Sequence, residues 1–141
     1  MIINAENIIL GRLASFTAKK LLLGEKVIIV NCEKAVISGS KRNLLERYTT
    51  RMHRGAPRKG PIFPRRADSI VRITIKRMLP YKKPRGREAF KNLKCYIGIP
   101  QNVNTKEIKE IPELEKAKSD KLPNVKFMSL KELSKLLGAK E

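Results

Sequence analysis

The residues able to do bond-breaking or metal chemistry are few. His53 is the single histidine of this 141-residue chain, and Cys32 and Cys95 are its two cysteines. One His and two Cys well separated in sequence do not assemble a four-ligand zinc site without carboxylates. Each cysteine adjoins an apolar, strand-like segment, the setting of a small buried hydrophobe rather than of a disulfide or metal pair. Ser38-Gly39-Ser40-Lys41 follows a strand-like run as a phosphate loop does, yet it lacks the earlier glycine and the Gly-Lys-Ser/Thr order. It is the basis of the alternative, a Rossmann-like nucleotide-binding enzyme. Asp68 and Glu88 lie near the most basic stretch, and each has a capping or pairing role available with no nucleophile–base partner. No catalytic residue, metal or cofactor is expected.

The chemistry that is dense here is phosphate recognition. Residues 41–94 hold eighteen basic and three acidic side chains, net +15 of the chain's +19, while the two flanks carry +2 each. Eleven of those eighteen are Arg, whose planar fork matches phosphate oxygens. From Cys95 onward the basic residues are all Lys, interleaved with Glu as on a solvated helix face. No acid intervenes between Glu46 and Asp68, and the Pro- and Gly-rich stretch 49–66 reads as a semi-rigid basic extension. Its Ile62-Phe63 pair is placed to pin one end to the core.

The partner is narrowed further by what is scarce. There is no Trp, and aromatics are 5% of the chain. Single-strand readers stack bases on exposed rings. Phe16, Phe63, Phe90, Tyr96 and Phe127 are expected in the core, leaving Tyr48 and Tyr81 as stackers. Folded, phosphate-dense RNA fits this better than base-by-base readout. With 41% apolar residues the chain is no disordered basic tail. Its longest apolar runs, such as Val27–Val30, are about four residues against roughly 18 for a membrane span. The N-terminus has no basic region followed by a long apolar stretch, so the expected address is cytoplasmic.

Elements must hold these residues in place. Leu10, Leu13, Ala14, Thr17, Ala18 and Leu21 recur at helical spacing, with Gly24 as a stop. Val27–Val30 is a β-branched run of the kind buried on both faces. Ala35–Ile37 reads as a strand, Ser38–Ser40 as a helix start, and Leu44, Leu45, Tyr48 and Met52 as one helical face. Strand–helix–strand–strand–helix favours an α/β sheet covered by helices. Asp68–Leu79 is ambiguous. Val71–Lys76 alternates as a strand would, whereas Asp68 is a good N-cap and Pro80 a stop. Tyr81–Arg87 reads as a second basic turn, Glu88–Leu93 as a short helix, and Cys95–Ile99 as a strand. Beyond a charged tail, Val125–Met128 is a strand candidate. Ser129-Leu130-Lys131-Glu132 has capping-box spacing and opens a closing helix.

Several blocks are familiar in combination. Ile9–Ser15, Gly24–Gly39, Gly60-Pro61, Met78-Leu79-Pro80 and Arg85–Pro100 together resemble the family of universal large-ribosomal-subunit protein number thirteen, in its archaeal form. The match is close over residues 1–100. The resemblance implies a single three-layer α/β/α domain spanning 1–141, with a mostly parallel central sheet and basic loop extensions, and a charged tail and closing helix at 102–141. It implies a helix over Asp68–Leu79, and a structural protein that binds and organises large-subunit ribosomal RNA and joins early in assembly. Neighbouring large-subunit proteins are implied partners; a membrane or a small-molecule substrate is not. Carried onto this chain, the RNA-binding residues are Arg51, His53, Arg54, Arg58, Lys59, Arg65 and Arg66 in the loop, and Lys82, Lys83, Arg85 and Arg87 in the turn. Arg77, also expected among the RNA-binding residues, stands where the family commonly has Gly, exchanging a close backbone approach for a side chain.

Overall fold

The computed structural model describes residues 1–56, 58–101, 103, 112–121 and 126–139. Three strands, β1 (Ile2–Asn4), β2 (Val27–Val30) and β4 (Leu93–Cys95), form an all-parallel sheet in the order β1-β2-β4. Between β2 and β4 in sequence comes β3 (Val36–Ser38), which pairs antiparallel with β5 (Phe127–Ser129) in a second, two-stranded sheet. The chain is a single α/β domain with a mostly parallel sheet, as expected.

Register explains the burial. Ile3, Ile29 and Cys95 lie in one row of the sheet, and Ile2, Ile28 and Lys94 in the next. The first row joins the core cluster with the buried stripes of α1 (Leu10–Leu22) and α3 (Ala67–Met78), two helices packed on each other. The buried face of α1 is the set that the spacing predicted: Leu10, Leu13, Ala14, Thr17, Ala18 and Leu21. Along α3 the buried positions are Ala67, Ile70, Val71 and Ile75. That helical spacing overrides the local strand-like alternation, because only a helix brings all four onto one side of α3. Val27, Ile29 and Val30 are fully buried, as a continuous apolar strand should be.

Several boundaries differ from expectation. Helix α2 (Lys41–His53) runs five residues into the stretch expected to be loop, so Arg51 and His53 are helical. Its start is as expected, with the Ser40 hydroxyl accepting from the Asn43 amide at 3.4 Å. The N-cap of α3 is Arg66, not Asp68, which sits in the first turn and pairs with the Arg66 guanidinium at 3.3 Å. Helix α4 (Pro84–Lys91) starts inside the predicted basic turn, because Pro84 supplies the fixed φ suited to a first helical position. Strand β4 begins two residues earlier than predicted, set by pairing of Leu93 and Cys95 with Val27 and Ile29. Val125 and residues 102 and 104–111 of the charged tail lie outside the described residues. Within the tail, a short helix α5 (Pro112–Glu115) buries Leu114, and α6 (Leu130–Leu136) opens with the Glu132 amide donating to Ser129 Oγ at 3.2 Å.

Candidate nucleic-acid interface

Tyr48 and Phe63 form the pivot of the basic surface. Tyr48, expected to be a base-stacking ring, is buried on the inner face of α2, and Phe63 reaches it from the loop. Their rings meet edge to face, with centroids 5.6 Å apart at 67°. Phe63 thus pins the basic extension to the core, while its neighbour Ile62 is 84% exposed. Burial raises the Tyr48 phenol above its usual range, partly offset by the nearby Arg51, Arg47 and Arg77 charges. Tyr81 keeps the exposure expected of it. Phe127, expected in the core, is exposed at the edge of β5.

Guanidiniums flank that aromatic pair. The Arg51 group lies 5.4 Å from the Tyr48 centroid, and the Arg77 group 5.7 Å from that of Phe63. An aromatic face attracts a cation without neutralising it, so the outward N–H donors stay available to an anion. Partial burial and the neighbouring Arg47, Arg77 and Arg54 charges push Arg51 below the usual guanidinium range, while Tyr48 opposes the shift. Arg77 therefore adds a side-chain contact to this group.

A second set surrounds the α3–α4 junction. Arg72 lies 4.8 Å from the Phe90 centroid, and Lys76 sits 5.7 Å from Phe90 and 5.3 Å from Tyr81. Lys82 and Lys83 lead into α4, whose first turn has no acidic residue and no side-chain cap. The partial positive charge of that helix end therefore adds to the lysines. Arg87 donates to the Lys82 carbonyl at 3.2 Å, and Arg85 reaches the Leu22 carbonyl at the end of α1 at 3.5 Å. These two arginines have a structural task in addition to any contact with a ligand.

The basic extension closes on itself at its tip. The amides of Lys59 and Gly60 both donate to the Ala56 carbonyl, at 3.1 and 2.9 Å, leaving Arg58 and Lys59 exposed in a tight turn. Gly55 is required there, because a Cβ would collide with the Gly60 carbonyl. At the other end, Ser134 donates to the Arg65 carbonyl at 2.9 Å and holds the approach to α3.

Of the predicted site residues, the structure brings Arg51, Arg54 and Arg77 together and sets Lys82, Lys83, Arg85 and Arg87 apart around α4. Among the described residues, only Arg66 of the whole predicted set is ion-paired. Sequence reasoning missed Arg47, Arg72 and Lys76. Arg47 was findable, since it stands four residues before Arg51 on the same helical face. Arg72 and Lys76 were hidden by the strand-like alternation of α3.

The other chemistries find little support. Gly39 donates its amide to the Lys126 carbonyl at 2.8 Å, and Lys41 pairs with Glu132 at 2.6 Å. The partial phosphate-loop pattern is thus occupied by the fold's own contacts, and its Ser40 is a helix cap. The two cysteines, distant in sequence, are neighbours in space; the Cys32 thiol donates to the Ile29 carbonyl at 3.8 Å, and the proximity of Cys95 and then burial push it up. Among the described residues no group of three or more His, Cys, Asp or Glu could hold a metal ion. No described helix is long and apolar enough to cross a membrane.

Comparison with known proteins identifies the family of the chain. Residues 1–102 match the family described as Ribosomal protein L13. The large ribosomal subunit protein uL13 of Methanocaldococcus jannaschii is 48% identical over 143 residues, covering 99% of this chain and 98% of the relative. That of Methanopyrus kandleri is 45% identical over 137 residues, covering 97% and 86%, and that of Archaeoglobus fulgidus 43% over 140 residues, again 97% and 86%. A family of ribosomal structural components rather than enzymes removes the nucleotide-binding enzyme as an alternative. On that family match and those relatives, this chain belongs to the ribosomal protein L13 family.

Proposed function

We propose that this chain is a structural constituent of the large ribosomal subunit that binds and organises large-subunit ribosomal RNA. It is ribosome-bound in the cytoplasm, joins early in subunit assembly, and contacts neighbouring large-subunit proteins. The observation that carries the proposal is the set of cations on α2, α3, the basic extension and α4 that have no carboxylate partner among the described residues. A polycation of this density repels itself until an anion neutralises it. Buried Tyr48 and Phe63 leave little ring surface for base stacking, so backbone phosphates of folded RNA are the matching ligand. The RNA contacts proposed are Arg51, His53, Arg54, Arg58, Lys59, Arg65, Arg77, Lys82 and Lys83, with Arg85 and Arg87 shared with the fold. Arg66 contributes less because Asp68 already pairs with it.

Sucrose-gradient sedimentation of cell lysate tests this directly. The chain should travel with the large subunit and move to the top after ribonuclease treatment. Finding it at the top in both gradients would overturn the proposal. Pulse-labelling should place it in the earliest large-subunit precursors; its appearance only in mature particles would remove the early role.

A further inference from the structure

An open groove of about 380 Å³ on the outer face of α2 is lined by Asn43, Glu46, Arg47, Thr50, Arg51 and Arg54. Arg77, off the groove's lining, packs on Phe63 from α3, and its charge acts on Arg51, which lies over the adjoining Tyr48 ring. Arg47, Arg51 and Arg54 thus line one groove, and the charges of Arg47, Arg54 and Arg77 all bear on Arg51. Glu46 is the acid on the groove, yet among the described residues it ion-pairs with none of the four. The rings hold two of the forks in fixed orientation, which lowers the ordering cost of each hydrogen bond they make. One phosphodiester, with a single negative charge, leaves most of this charge unbalanced. Two or more phosphates held close together match it.

We propose that Arg47, Arg51, Arg54 and Arg77 form a discrete oligophosphate site that takes two closely spaced phosphates. Two sources present this chemistry: a sharp turn of an RNA backbone, and a free inorganic oligophosphate. The first source rests on the RNA-binding function proposed above; the second does not.

Calorimetric titration of the full chain with inorganic tripolyphosphate at low salt tests the site. We expect one saturable site per chain, weakened about tenfold or more by Arg47→Gln or Arg77→Gln, each of which removes a charge-assisted contact. Lys26→Gln and Lys94→Gln, exposed lysines outside the basic surface, should leave it unchanged. Arg77→Lys keeps the charge but loses the planar fork, and should recover only part of the affinity. Arg47 is exposed, so its replacement should leave the thermal melt intact and keep the test valid. Loss of affinity in the Lys26 and Lys94 variants equal to that in the arginine variants would overturn the proposal, as would non-saturable binding.

Large-subunit ribosomal RNA fragments separate the two sources. A drop of about 1 in the salt slope of Arg47→Gln assigns the site to the RNA backbone. An unchanged slope beside lost tripolyphosphate binding assigns it to free oligophosphates. A chain that binds tripolyphosphate at this site but no ribosomal RNA would refute the RNA-binding function and leave the site standing.

Discussion

Gly86 lies in the first turn of α4, where two physical effects oppose each other. Helix propensity favours Ala over Gly by roughly 1 kcal/mol, so Gly86→Ala would stabilise an isolated helix. In the folded chain the added Cβ collides with the Pro80 carbonyl and lies 2.9 Å from the Tyr81 amide nitrogen. Backbone atoms cannot move aside as a flexible side chain can, and overpacking of this kind costs about 1–3 kcal/mol. The collision wins. Gly86→Ala should lower the thermal midpoint and separate the Pro80–Lys83 turn from α4, read as faster amide exchange in that turn. An unchanged or raised midpoint would show that the turn moves freely. No spacing pattern in the sequence announces this contact, because Pro80 and Gly86 meet only when α4 folds back on the turn.

Among the elements, α6 shows how a short helix is held. Seven residues are too few for a helix to persist alone in water. Leu130 and Leu133 are fully buried, and the Ser129 cap satisfies one of the free amides of the first turn. The same helix fixes the site indirectly, since its Ser134 holds the Arg65 carbonyl and its Glu132 holds Lys41 at the start of α2. Ser129→Ala should therefore cost about 1 kcal/mol in a denaturant titration. Amide protection at the Arg65 end of the basic extension should also weaken. Protection unaltered by the substitution would mean that the extension is held by Phe63 alone.

At the scale of the whole molecule the controlling quantity is net charge, +19 over 141 residues. If RNA binding engages about 6–10 phosphates, affinity should fall by roughly 10³–10⁵ between 50 and 200 mM salt. A filter-binding series across that range reads the slope, and a flat profile would eliminate phosphate contact as the source of affinity. Arg66→Gln should change the slope less than Arg54→Gln, because the Asp68 partner already balances Arg66.

The sequence by itself determined the α/β class, the buried stripe of α1, both serine caps and the concentration of positive charge in residues 41–94. Each rests on periodicity, composition or a short local motif, which act between near neighbours along the chain. The family resemblance added α3, where local alternation had slightly favoured a strand. Only the tertiary structure decided that Tyr48 is core rather than a base-stacking ring. It also decided that Arg47, Arg51 and Arg54 line one groove, and that the phosphate-loop pattern is filled by Lys126 and Glu132. Those outcomes depend on which segments meet after folding, through contacts such as Tyr48 with Phe63 and Lys41 with Glu132, and no local pattern encodes the meeting.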